Sequence, residues 1–98
     1  MRLRQFATQV ENLSLKEVPG RLASYLLVLS EEQKDKETVT LPISKGQLAS
    51  LLGTIPETLS RIFAKMSAQD LITVQGRRIG LLDRPGLEEV SEQGRVAE

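Results

Sequence analysis

Two amphipathic segments stand almost end to end in the middle of this chain of 98 residues, and their spacing limits the fold more than any other feature. Ser44-Lys45-Gly46-Gln47 has the pattern of a capping box, in which a Ser side chain and a Gln three residues on satisfy the free N–H groups of a helix start. Leu48, Leu51 and Leu52 give that helix its apolar face, and Gly53 supplies a left-handed stop. Only Thr54 and Ile55 follow before Pro56, a residue suited to a first helical turn. Leu59, Ile62, Phe63 and Met66 then recur at i, i+3, i+4 and i+7, the stripe of a second helix. So short a connection forces the two helices to cross steeply. This is helix-turn-helix spacing.

The rest of the chain can be arranged around that pair. Leu3, Phe6, Val10 and Leu13 follow a 3-4-3 spacing, the seam of a coiled coil. Two heptads do not stand alone in water, which leaves two readings: a helix packed on its own domain, or the end of a longer dimerisation helix. Pro19 and Gly20 fit a first turn, so a helix is predicted from about Glu17 to Gln33, with Leu22, Leu26 and Leu29 on one face and Tyr25 beside them. Residues 31–37 are charged and exposed. Thr38-Val39-Thr40-Leu41 reads as a short strand closed by Pro42. Beyond the helix pair, Leu71-Ile72-Thr73-Val74 and Arg78-Ile79-Gly80-Leu81-Leu82 flank the turn Gln75-Gly76-Arg77 as a hairpin. Asp83 caps a last short helix that ends near Ser91, and residues 93–98 are expected to fray. The order predicts a mainly α fold with a small antiparallel β-hairpin, a winged helix-turn-helix.

Composition removes whole classes of chemistry. The chain has no Cys and no His, hence no disulfide, no thiolate or imidazole metal site, and neither the usual nucleophile nor the usual general base. No cofactor and no metal are expected. Its longest apolar run is far shorter than the ~20 residues that cross a bilayer, and no export segment opens it, so no membrane association and a cytoplasmic location are expected. Glu88 and Glu89 are neighbours and diverge on a helix, as Ser44 and Lys45 do, which leaves an enzyme no acid pair or dyad. No enzymatic activity is predicted.

The second helix of the pair carries the chemistry that remains. At about 100° per residue its apolar stripe faces the core, and Glu57, Ser60, Arg61, Ala64, Lys65 and Ala68 fall on the other side. Small residues there allow a close backbone approach. Arg can donate two bonds to O6 and N7 of guanine, while Glu can accept from N4 of cytosine. Glu57 and Arg61 lie four apart and can hold each other's rotamers. The bland alternative makes Glu57 the partner of Thr54 in a capping box and Arg61 its salt-bridge neighbour on a solvated surface. Arg77 and Arg78 in the hairpin turn, with Ser44 and Lys45 at a helix start, offer phosphate contacts.

The residues resemble the C-terminal DNA-binding domain of the Crp/Fnr transcription regulators. The likeness rests on the run from Ile43 through Ala49, Leu52-Gly53, Glu57-Thr58-Leu59-Ser60-Arg61-Ile62, Asp70-Leu71-Ile72 and Gly76-Arg77-Arg78-Ile79. Upstream, Asn12-Leu13 and Val18-Pro19-Gly20-Arg21-Leu22-Ala23 extend it. The resemblance implies a bacterial regulator that binds double-stranded DNA as a homodimer on a palindromic operator. It implies that residues 1–13 are the remnant of a dimerisation helix, residues 14–98 the winged helix-turn-helix, and that a sensory β-roll domain of unknown effector is absent from this chain. It makes Glu57, Ser60 and Arg61 base readers, in the Glu-x-x-Ser-Arg pattern of the Fnr-like branch, and Ser44, Thr58 and Arg77 phosphate contacts, to which the reading of the residues themselves adds Lys45, Lys65 and Arg78. Pro56 stands where the Crp-like branch has Arg, which favours a TTGA-like core, and Gly46 replaces a polar phosphate-contacting residue of that branch. The loop 33–38 could touch RNA polymerase.

The competing use of such a fold is protein contact alone, which needs an apolar patch that the Glu57 to Lys65 face lacks. Charge first looks unhelpful, since thirteen bases balance thirteen acids. It is unevenly spread. Residues 43–82 set Lys45, Arg61, Lys65, Arg77 and Arg78 against Glu57 and Asp70, a net +3. From residue 83 onward, Arg84 and Arg95 face Asp83, Glu88, Glu89, Glu92 and Glu98, a net −3. A basic unit so modest predicts weak non-specific affinity and dependence on dimer pairing.

Overall fold

Helix α1 (Ala7–Gln33) carries Pro19 in its interior, where a helix beginning near Glu17 would have placed it in the first turn. The computed structural model describes the backbone of residues 7–94 and the side chains of residues 18–94. Heptad positions Leu3 and Phe6 therefore lie outside the described residues, as do residues 95–98. Pro19 has no N–H to give to the carbonyl four residues back. The helix nevertheless continues, because Val18 and Leu22 on either side of it are buried in the core.

After α1 come β1 (Thr38–Thr40), α2 (Lys45–Leu52), α3 (Pro56–Ala68), β2 (Ile72–Gln75), β3 (Arg78–Leu81) and α4 (Arg84–Gln93). Most apolar positions read from the sequence converge on one core, but Leu51, read as part of the apolar face of α2, points outward and is exposed, with Ala49 taking its place in the core. Leu22 and Leu26 of α1, Val39 of β1, Leu48 of α2, Leu59 and Met66 of α3, Ile79 of β3 and Leu87 of α4 are all fully or almost fully buried within it. Burying side chains of this size stabilises the fold by about 1.5–3 kcal/mol each before the loss of chain entropy is counted.

The strands form a three-stranded antiparallel sheet in the order β1-β3-β2, more than the hairpin expected. Gln75 pairs with Arg78, so Gly76 and Arg77 make a two-residue turn. Gly76 leads it with φ +61°, a conformation that favours glycine. On the other side of β3, Val39 pairs with Ile79. The open edge of β1 is closed by a side chain: the Gln33 carboxamide donates to the Thr40 carbonyl at 2.8 Å and accepts from the Thr40 N–H at 2.9 Å. An amide that mimics a strand in this way blocks edge-to-edge pairing.

Helix α4 begins as expected, with the Asp83 carboxylate accepting from the Gly86 N–H at 2.9 Å. It runs past Ser91 to Gln93, where Gly94 closes it in the left-handed conformation. It lies along α1, joined by a hydrogen bond between the Ser24 and Ser91 hydroxyls. The two backbones approach so closely that a Cβ on Gly20 would sit 2.5 Å from the Gly94 Cα. At the far end Arg84 donates to the Ser30 hydroxyl (2.8 Å), which donates to the Asp35 carbonyl (2.6 Å), so buried Ser30 is fully partnered.

Candidate nucleic-acid interface

Helix α2 is fixed at both ends. Ser44 Oγ accepts from the Gln47 N–H and Gln47 Oε1 accepts from the Ser44 N–H, both at 3.1 Å, completing the capping box. Because Ser44 accepts there, its own O–H remains a donor. At the other end Gly53 adopts φ +80°. The Thr54 N–H then reaches the Ala49 carbonyl at 2.8 Å and the Gly53 N–H reaches the Ser50 carbonyl at 3.1 Å, the bond pattern of a Schellman stop. That pattern leaves the Leu52 carbonyl unused, and Arg21 of α1 fills it from Nε at 3.2 Å and Nη2 at 3.0 Å. Sequence reading missed this role, because the two residues lie 31 apart and no local pattern joins them.

Three residues on, α3 starts differently. Its cap position is Ile55, which offers no side-chain hydrogen bond, and Pro56 follows at once. Because the cap position is Ile55 and not Thr54, Glu57 is the second residue of the helix rather than the third, and the bland account of Glu57 loses its cap. A carboxylate in the first turn still complements the positive end of the helix. Leu59, Ile62, Phe63 and Met66 are buried, while Glu57, Ser60, Arg61, Ala64, Lys65 and Ala68 are all exposed, as the angular reading predicted. Thr58 is half-buried between the two faces. Arg61 Nη2 stands 3.6 Å from Glu57 Oε2, with both side chains about three-quarters exposed. A pair so solvated is weak. Both side chains can swing to another partner at little cost.

Lys45 is tied to the same helix. Its Nζ lies 5.7 Å from the centre of the Phe63 ring, so a cation at the start of α2 rests against a side chain of α3. Ser44 and Lys45 are both half-buried, placed between the helix start and the surface.

The hairpin turn divides its two arginines. Arg77 sits in the two-residue turn, exposed, with its carbonyl accepting from the Leu41 N–H at 2.8 Å. Arg78 is the first residue of β3, and since Ile79 faces the core, Arg78 and Gly80 face the opposite side of the sheet. There Arg78 lines a shallow polar groove of about 150 Å³ with Thr38, Thr73 and Gln75. The groove lies toward the Asp35 loop. Asp35 accepts from the N–H groups of Glu37 and Thr38, and these bonds, helped by the positive charge of Arg78, hold its carboxyl below the usual range. The structure therefore keeps Arg77 at the tip and places Arg78 on the outer face of the sheet, along the groove with Thr38, Thr73 and Gln75.

Residues 20–90 match the Crp-like helix-turn-helix domain. The chain belongs to this family. Its C-terminal DNA-binding fold is that of Crp/Fnr transcription regulators, which are not enzymes. Over 69 residues the chain is 38% identical to the probable transcriptional regulator flp of Lacticaseibacillus casei, covering 70% of this chain and 31% of that protein. The transcriptional regulator SdrP of Thermus thermophilus is 30% identical over 93 residues, covering 89% of this chain and 46% of that one. The crystal structure of DNR from Pseudomonas aeruginosa superposes with a TM-score of 0.72 at 36% identity, covering 83% of this chain and 36% of that chain. The chain thus spans between about a third and a half of the length of these relatives. Among the described residues, four helices with a small antiparallel sheet, in a winged-helix family, agree with the predicted fold class. Among the described residues no helix is long and apolar enough to cross a membrane.

Proposed function

We propose that this domain reads double-stranded DNA in sequence-specific fashion for a bacterial transcription regulator, with α3 in the major groove. The observation that carries the reading is the exposed face of α3. A long cation and a carboxylate stand exposed to solvent and free to reorganise, among Ser60, Ala64 and Ala68, which let the backbone come close. Glu57, Ser60 and Arg61 read base edges. Ser44, Lys45, Thr58, Lys65 and Arg77 hold phosphates. Arg78 takes part through the sheet side of the hairpin, where it is exposed.

Family likeness adds the finer terms. Two copies pair on a palindrome with a TTGA-like core, residues 1–13 belong to the dimer helix and residues 14–98 to the reading domain. The exposed loop 34–37 faces RNA polymerase, and the domain acts in the cytoplasm. The basic stretch 43–82 carries only +3, so non-specific attraction is small and pairing of two domains supplies the affinity. A titration of a TTGA-centred palindromic duplex and a scrambled duplex at rising salt tests this. Preference for the palindrome with steep weakening in salt is expected. Flat salt dependence with equal affinity for both duplexes would contradict it and favour protein contact.

A further inference from the structure

We infer that Arg21 is a positioning residue for DNA recognition, one that ties α1 to the turn from which α3 departs. This rests on the proposed reading of α3. Helix ends leave their last carbonyls unpaired. In α2 the Schellman stop uses those of Ala49 and Ser50. The Leu52 carbonyl comes last before Gly53, and Arg21 holds it with two N–H donors from its planar fork. A charge-assisted pair of bonds of this kind fixes direction as well as distance.

What Arg21 holds is the first peptide of the turn. Gly53, Thr54 and Ile55 are the only residues between the helices, and Ile55 gives α3 no side-chain cap. The Leu59 N–H takes the Ile55 carbonyl at 3.0 Å, so the first turn of α3 is built directly on that short link. Glu57, Ser60 and Arg61 lie within its first two turns. The direction of α3 at its reading end is thus set by a link whose start is anchored to α1. A Cβ added to Gly53 would lie 3.7 Å from Arg21 Nη2, so the guanidinium also packs on the bend. Arg21 is two-point and rigid, and a Lys in its place can donate from only one point.

Amide hydrogen exchange on the 98-residue chain, with duplex binding, tests the inference on Arg21→Ala and Arg21→Lys. In Arg21→Ala the Gly53 and Thr54 amides should exchange about tenfold faster, the effect of losing a charged hydrogen bond. The Leu41 and Leu81 amides, bonded to Arg77 and Glu37 in the sheet, should keep their wild-type rates. Arg21→Lys should fall between, and it alone decides the matter if the alanine variant does not fold. The ratio of palindrome to scrambled-duplex affinity should drop in the same order. Faster exchange spread evenly over all amides, unchanged rates at Gly53 and Thr54, or an unchanged affinity ratio would overturn the inference. Failure of the wild type to distinguish the duplexes would instead overturn the reading of α3, while the local exchange pattern still decides whether Arg21 fixes the turn.

Discussion

Both helices of the central pair bury apolar side chains, Leu48, Ala49 and Leu52 in α2 and a longer stripe in α3, but their ends are held in opposite ways. Helix α2 is only eight residues long and is secured at its ends, by the capping box at Ser44 and by Gly53 with Arg21 at Leu52. Helix α3 is thirteen residues long, begins at Ile55 without a side-chain cap, and is secured along its length by Leu59, Ile62, Phe63 and Met66. Hydrogen bonds at both ends suit a short helix that serves as a mount, since they add fixed direction to the burial of Leu48, Ala49 and Leu52. A buried stripe suits a helix that must show its other face and its first turn to a partner. Anchoring by the inner side leaves the outer side free for Glu57, Ser60 and Arg61.

Substitutions can break that contrast in graded steps. The largest effect should come from the stripe: Met66→Ala, at a fully buried position, should cost about 2–5 kcal/mol of stability in urea unfolding. Ser44→Ala attacks the mount at its start and should cost about 1 kcal/mol by the same measurement. Ile55→Ser should do the reverse, giving α3 the cap it lacks and raising stability by about 0.5–1 kcal/mol. If Ile55→Ser instead lowered the unfolding midpoint, the bare start of α3 would have another structural partner and the contrast would fail.

The smallest effect concerns pH. Asp35 has its carboxyl held low by two backbone N–H groups, with Arg78 adding to them. A group depressed in the folded state contributes stability that is present above its ordinary value and is lost as pH falls through the folded one. Asp35→Asn should therefore lower stability modestly at neutral pH, leave it little changed in acid, and flatten part of the acid limb between them. An identical acid limb in both proteins would show that the loop contacts carry no linkage.

Sequence disclosed this site where its signals are local. The Ser44 to Gln47 box, the Gly53 stop, Pro56 at the start of α3 and the stripe from Leu59 to Met66 each span at most two turns. The structure reproduces all of them. What escaped was set by distant partners. Arg21 meets Leu52 across 31 positions, β1 finds β3 rather than standing alone, and Gln33 folds back to close the edge at Thr40. Pro19 misled because its local meaning, a helix start, yielded to the burial of Val18 and Leu22 around it. Arg77 and Arg78 read together as a basic tip even though the strand predicted from sequence begins at Arg78, and the pairing of Gln75 with Arg78 leaves only Gly76 and Arg77 in the turn.

The central claim is that the outward face of α3 reads bases while the hairpin tip holds the backbone. The most direct test measures affinity for the TTGA-centred palindrome and for a scrambled duplex with the wild type, Arg61→Ala and Arg77→Ala. Arg61→Ala should lose about 1–3 kcal/mol on the palindrome and relax the choice at one G·C pair, whereas Arg77→Ala should weaken both duplexes alike and lower the salt slope by about one. An Arg61→Ala protein that discriminated between the duplexes as well as the wild type would contradict the account.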